Sequence, residues 1–142
     1  MAVVQLCVQM RKEAGTIQQL TEVLKMEGIN ILAISVSSRE EDVFISMVVD
    51  DPEMAGNIFE TKGLSFTKDE VIIAELPEHP GGLHAVFTPL KAAQINLLQC
   101  YSFLTPYSSQ ALLVIHVDRV KEAVTALEKN WIHLVGEDVY GN

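Results

Sequence analysis

The chain is poor in positive charge. Ten basic residues stand against nineteen acidic ones among 142, a formal net charge of −9. That balance repels a phosphate backbone and an anionic bilayer, so nucleic acid and membrane are poor default partners; plain solubility explains it equally well. Aromatic residues are scarce, at 6%. The strand-like segments VVQLCVQM and VFISMVV offer Phe44 alone, whereas an RNA-reading sheet needs several exposed aromatics with basic neighbours. Only two cysteines occur, Cys7 and Cys100, both within apolar segments and with no Cys-x-x-Cys pair. Buried reduced thiols fit that placement, and a disulfide framework, a zinc site or a heavy-metal carrier loop does not. No apolar run is long enough to span a membrane; the longest are strand-sized, such as ALLVI at 111–115. The opening MAVVQLCVQMRKEAG puts its charges after the apolar run, the reverse of a secretory signal. The expectation is a soluble, cytoplasmic protein.

Reactive constellations are missing as well. There is no nucleophile elbow, P-loop, dinucleotide fingerprint or zinc signature. Four histidines occur, none at metal-ligand spacing: His79 and His84 flank a glycine-rich loop, and His116 and His133 read as strand residues. His79 and His84 are read as exposed loop and helix residues, with contact to a ligand carboxylate as the alternative. Arg39-Glu40-Glu41-Asp42 reads as a solvated hairpin tip. Asp50, with Glu53 three residues on, reads as a helix N-cap in a capping box. The chain is expected not to be an enzyme and to need no cofactor or metal.

What is present is a sequence that repeats itself. KEAGTIQQLTEVLKMEGIN (12–30) and EHPGGLHAVFTPLKAAQIN (78–96) share glycine at the fourth place, Leu-Lys at the thirteenth and fourteenth, and Ile-Asn at the end, at an offset of 66. Beyond a turn, SREEDV in one copy and the longer TPYSSQA in the other, the offset becomes 68. It then aligns Asp50 with Asp118, Ala55 with Ala123 and Glu60 with Glu128. Identities are few, but the apolar pattern stays co-linear along the chain, which argues for duplication. A two-residue insertion at a hairpin tip is where a duplicated fold accepts one.

Each copy reads in the same order. VVQLCVQM alternates as a strand; Ile17, Leu20, Val23 and Leu24 recur at helical spacing and Gly28 stops them; INILAISVS and VFISMVV are strands around a polar turn. Met54, Ala55, Ile58 and Phe59 line a second helix that Gly63 ends, and LSFTKDEVIIAEL supplies a strand whose later part begins the second copy. The second copy is expected as strand 71–76, helix 82–93, strand 95–104, strand 111–117, helix 119–130 and strand 132–140. The fold class is therefore α+β: two ferredoxin-like β-α-β-β-α-β units, residues 1–68 and 69–142, with antiparallel sheets and helices on one face. One such unit is barely large enough to bury a core alone, and no Gly/Pro/Ser linker separates the two.

In each copy a strand ends, a glycine turn follows and a helix begins. Glycine permits positive φ, and the first free N–H groups of the helix, at the positive end of its dipole, suit a carboxylate. The asparagine heading the next strand, Asn30 or Asn96, offers a donor and an acceptor in one amide. Duplication of an ordinary turn would explain the same recurrence.

Ala14-Gly15-Thr16-Ile17 followed by Gly28-Ile29-Asn30-Ile31 resembles the ACT domain. So does Pro80-Gly81-Gly82-Leu83 with Gln94-Ile95-Asn96-Leu97, although Gln94 stands where glycine is usual and Pro89 interrupts the helix. The resemblance covers the whole chain, and Tyr101-Ser102-Phe103 is similar to stand-alone tandem ACT proteins. It implies a non-catalytic regulatory module that binds a free amino acid and senses or regulates amino-acid metabolism. A partner enzyme and a homodimer are implied as partners. The implied ligand residues are Ala14, Gly15, Thr16, Ile17, Asn30, Ile31, Pro80, Gly81, Gly82, Leu83, Asn96 and Leu97, with Tyr101 as a pocket wall or a strand residue. In ACT domains the loop of one unit usually meets the Asn-bearing strand of its neighbour. The alternative is a protein-interaction or dimerisation module with a vestigial ligand site.

Overall fold

Strand β4, Ser65–Glu75, serves both repeats, as the last strand of the first and the first of the second. In the computed structural model, which describes residues 3–106 and 108–140, the chain forms two compact units. One is Val4–Asp69; the other begins at Glu70 and takes in Val3. Tyr107, in the TPYSSQA turn, lies outside the described residues.

The first unit runs β1 (Val3–Arg11), α1 (Thr16–Met26), β2 (Ile31–Arg39), β3 (Asp42–Val49), α2 (Pro52–Thr61) and the start of β4. Its strand order is β2-β3-β1-β4. β1 and β3 pair antiparallel from Leu6 opposite Met47 to Arg11 opposite Asp42. β2 joins β3 through a two-residue tip, Glu40-Glu41, with a bulge between Ile31 and Ala33. The helices bury Leu20, Leu24, Ala55 and Phe59 against Leu6, Val8, Ile45 and Met47 of the sheet. Phe59 is fully buried and meets Phe66 edge-on at 5.5 Å, a geometry worth about 0.5–1.5 kcal/mol beyond the area it buries.

The second unit continues from β4 through α3 (Gly82–Ala92), β5 (Leu97–Phe103), β6 (Leu112–Val117), α4 (Val120–Lys129) and β7 (Leu134–Val135). Its order is β5-β6-β4-β7, the same permutation as the first unit. Val86, Leu90, Ala123 and Leu127 pack on Ile72, Ala74, Leu113 and Ile115. The α+β class and the twice-repeated β-α-β-β-α-β order are borne out. Among the described residues no helix is long and apolar enough to cross a membrane.

The four α-helices among the described residues stop in one way. The residue after the C-cap enters the left-handed region, and the next N–H reaches back to the third helical residue from the end. Ile29 N donates to Leu24 O, Leu64 N to Phe59 O, Ile95 N to Leu90 O and Ile132 N to Leu127 O. The left-handed residue is Gly28 in α1 and Gly63 in α2, but Gln94 (φ 57°) in α3 and Trp131 (φ 63°) in α4.

Four expectations need correction. Asp51, not Asp50, caps α2, accepting from Met54 N at 3.0 Å with Pro52 next to it, so Asp50 and Glu53 form no capping box. Met54 is 43% exposed rather than on the buried face. The last strand is only Leu134–Val135: Gly136 releases the chain into a 3-10 turn, Glu137–Tyr140, closed by Val139 N donating to Gly136 O at 3.1 Å. Pro89 does not interrupt α3, which continues through it to Ala92 with the proline ring buried.

Candidate functional site

The two glycine loops are built alike. Gly15 (φ 86°) and Gly81 (φ 88°) are the N-caps of α1 and α3, and neither offers a capping side chain. An added Cβ would meet nothing within 4 Å at either, so glycine is required there by its dihedral angles and not by crowding. Each glycine carbonyl accepts the first helical bond, from Gln19 N and from Ala85 N, both at 2.9 Å. The first helical N–H of each turns back into its own loop, Thr16 N to Glu13 O at 3.2 Å and Gly82 N to His79 O at 3.0 Å. The next two amides, Ile17 and Gln18 in α1 and Leu83 and His84 in α3, have no hydrogen-bond acceptor among the described residues. Free, outward amides at the positive end of a helix dipole can take an anionic oxygen.

Two expected ligand residues also hold their loops together. Thr16 is buried, and its hydroxyl donates to the Arg11 carbonyl at 3.1 Å, tying α1 to the end of β1. Gly82 occupies the matching place in α3 and is also buried. A Cβ there would sit 2.2 Å from the Pro77 carbonyl oxygen, so only glycine fits. Ala14, Gly15, Pro80, Gly81 and Leu83 are exposed, and Ile17 is half-buried against the first core. His79 and His84 are exposed; the His79 ring donates from Nδ1 to the Pro80 carbonyl at 2.8 Å.

Neither unit by itself brings its loop to its asparagine. The first loop lies beside the β2–β3 tip, where Lys12 N donates to Glu41 O at 2.8 Å; the second lies where Leu76 N donates to Ala111 O at 2.9 Å. The asparagines sit at the opposite end of each sheet, against an aspartate that follows β3 or β6. Asn30 N donates to Asp50 Oδ1 at 3.0 Å and Asp50 N to Asn30 O at 3.1 Å. Asn96 and Asp118 repeat both bonds, at 3.1 and 3.2 Å, and add a third, from Asn96 Nδ2 to Asp118 Oδ2 at 3.0 Å. The Asn96 amide is thereby occupied, while that of Asn30 makes no hydrogen bond to the described residues. Asp50 and Asp118 were not expected in this role. Their recurrence at an offset of 68, two polar residues opposite two repeated asparagines, was the available signal.

Asn96 and Leu97 edge an open groove of about 420 Å³ with Phe87, Lys91 and Gln94. Ile31 is half-buried at the head of β2, and Tyr101 is half-buried in β5 opposite Val114. Arg119, which replaces the capping aspartate of α2 at the start of α4, sends its guanidinium back to the carbonyls of Ala93 and Gln94 at the end of α3. A cation there complements the negative helix end. Burial pushes the half-buried Cys100 thiol above its ordinary value. Among the described residues no group of histidine, cysteine or carboxylate side chains could hold a metal ion.

A family model described as an ACT domain pair matches residues 1–140. The protein BT0572 of Bacteroides thetaiotaomicron is 24% identical in sequence, with a TM-score of 0.90 over 100% of this chain and 98% of that one. The regulatory subunit of aspartate kinase from Thermus thermophilus, in its ligand-free form, is 14% identical with a TM-score of 0.66, over 91% of this chain and 93% of that one. The aspartate kinase of Clostridium acetobutylicum, described as an allosteric enzyme, is 14% identical with a TM-score of 0.58; 91% of this chain matches 33% of it. At these identities the likeness shows the fold. No curated protein sequence matches the chain.

Proposed function

This chain belongs to the family of ACT domain pairs, and on that premise we propose that it is a regulatory protein that binds a free amino acid and leaves it unaltered. The observation that carries the reading is the open start of α1 and α3. Each repeat holds a left-handed glycine with clear space above it, followed by two amides without an acceptor. The ligand's α-carboxylate takes those amides, at Ile17 and Gln18 or at Leu83 and His84. Ala14, Gly15, Pro80 and Gly81 supply the loop around it, while Thr16 and Gly82 keep that loop in shape. Asn30, Ile31, Asn96 and Leu97 lie at the far end of their own units, so they join such a site only by meeting a loop from another ACT unit. The ligand acts by population shift, favouring the one packing of paired ACT units that holds it. A soluble cytoplasmic protein that acts on a partner enzyme of amino-acid metabolism fits this role. The likeness to a regulatory subunit of aspartate kinase supports it.

A second reading, an interaction module whose ligand site is vestigial, is favoured by one observation: the Asn96 amide is already occupied by Asp118. A thermal-shift screen against the twenty amino acids separates the two. A ligand at a hundred times its dissociation constant stabilises the folded chain by about 2.7 kcal/mol, which raises the melting temperature by roughly 5–10 °C for a chain of this size. A shift with one amino acid or a related few supports the sensor. A flat panel supports the interaction module.

A further inference from the structure

The end of α4 takes a conformation that its residue opposes. Trp131 sits at φ 63° in the position that glycine fills after α1 and α2, and a bulky side chain enters that region only at a cost. Its ring gains no compensating burial within the chain: Trp131 is 94% exposed, and it is the sole tryptophan of the sequence. Burial of the indole against another surface would offset the cost of both. Asn130, its neighbour in the chain, lines a groove of about 470 Å³ between α3 and α4 together with Pro89, Ala92, Ala93 and Ala126. Glu122 and Lys129 also line it. They are seven residues apart on α4, two turns along one face, or about 10 Å.

We infer that this face is a two-fold interface with a second copy of the chain, each Trp131 seated in the α3–α4 groove of the other. The choice of a second copy rests on charge. A two-fold axis across α4 sets it antiparallel to its mate, so Glu122 meets the partner's Lys129 and Lys129 meets the partner's Glu122. A single helix face with opposite charges two turns apart is complementary to itself in that arrangement. Among the described residues Glu122 has only a loose contact, 3.9 Å from Arg119 and exposed on both sides, and such a pair leaves the carboxylate available. Two indoles, each burying about 150–250 Å², close the two ends of the patch, one on either side of the axis.

The sole tryptophan makes the test direct, because intrinsic fluorescence reports the burial of this one ring. Sedimentation of the full chain over a range of micromolar concentrations is expected to show a monomer–dimer equilibrium, with the emission moving to the blue as dimer forms. Trp131→Gly is expected to weaken the dimer at least about thirtyfold. Glycine suits the left-handed position, so the monomer of that variant stays folded. Glu122→Lys and Lys129→Glu each weaken the dimer by setting like charges together, and the double variant brings the affinity back towards that of the original. A chain that stays monomeric throughout, a dimer whose emission does not move, a Trp131→Gly dimer of unchanged affinity, or a double variant no better than the singles overturns the inference.

Discussion

Asn96 and Asp118 clasp one another through three hydrogen bonds: backbone to carboxylate at 3.1 Å, side-chain amide to carboxylate at 3.0 Å, and backbone to backbone at 3.2 Å. Asn30 and Asp50 repeat the first and the last of these in the other unit. Each clasp ties the start of the second strand of a repeat to the start of its second helix. The asparagine that a sequence reader marks as a ligand residue thus has a structural duty in both copies, and in only one is its side chain left over.

Replacing the aspartates measures that difference. Asp50→Ala removes one charge-assisted bond at an exposed site and is expected to cost about 1 kcal/mol; Asp118→Ala removes two and is expected to cost roughly 1.5–2 kcal/mol. Urea unfolding of the two variants checks the order. Equal losses would mean that the Asn96 side-chain bond contributes nothing.

Gly82→Ala is expected to be the most damaging substitution in the loops. Its Cβ would sit 2.2 Å from the backbone oxygen of Pro77, which has no flexible side chain to move aside. The loop must shift, at about 2–3 kcal/mol. Gly15→Ala meets no atom and carries only the left-handed strain at φ 86°, about 1–2 kcal/mol. Thermal unfolding of both separates crowding from dihedral strain, and a larger loss at Gly15 would contradict this account of the loop.

The left-handed residue after each helix gives a paired test. Gln94→Gly relieves strain at φ 57° and, after the entropy that glycine adds to the unfolded chain, is expected to stabilise by about 0.5–1 kcal/mol; Gly28→Gln should destabilise by a similar amount. Denaturant midpoints moving in opposite directions are the expected result. A loss from Gln94→Gly would show that Gln94 does more than end the helix.

Cys100 predicts a loss of stability at high pH. Burial raises its folded-state value above the 9.0 of a free thiol. Between the unfolded and the folded value the unfolded chain therefore holds fewer protons than the folded one, so stability is full below pH 9 and falls as pH rises through that window. Cys100→Ser has no proton to lose there. Its urea midpoint should fall less than that of the original chain between pH 8 and pH 10, and parallel losses would refute the assignment.

Much of the fold was legible because duplication printed each signal twice. Gly15 and Gly81, Asn30 and Asn96, and Asp50 and Asp118 fall at matching points of the two units, and the sharing of β4 followed from where the second copy begins. Features set by one neighbouring atom were not legible. The Pro77 carbonyl that requires glycine at position 82 leaves no mark in the sequence around it. Asp50 looked like the cap because it comes first, yet Asn30 holds it and Asp51 caps the helix. The final strand, expected over 132–140, stops at Val135 because the chain after Gly136 turns back and buries Val139. Trp131 stands at the register of Gly63, and that exchange of glycine for the largest side chain was legible in the sequence.

The most direct measurement is a backbone amide NMR titration of the full chain with the amino acids that raise its melting temperature. The account predicts saturable shifts centred on the amides of Ile17 and Gln18, on those of Leu83 and His84, or on both pairs, with each response lost when Gly15 or Gly81 is replaced by a residue that closes its loop. A ligand that binds while those four amides stay in place would contradict it.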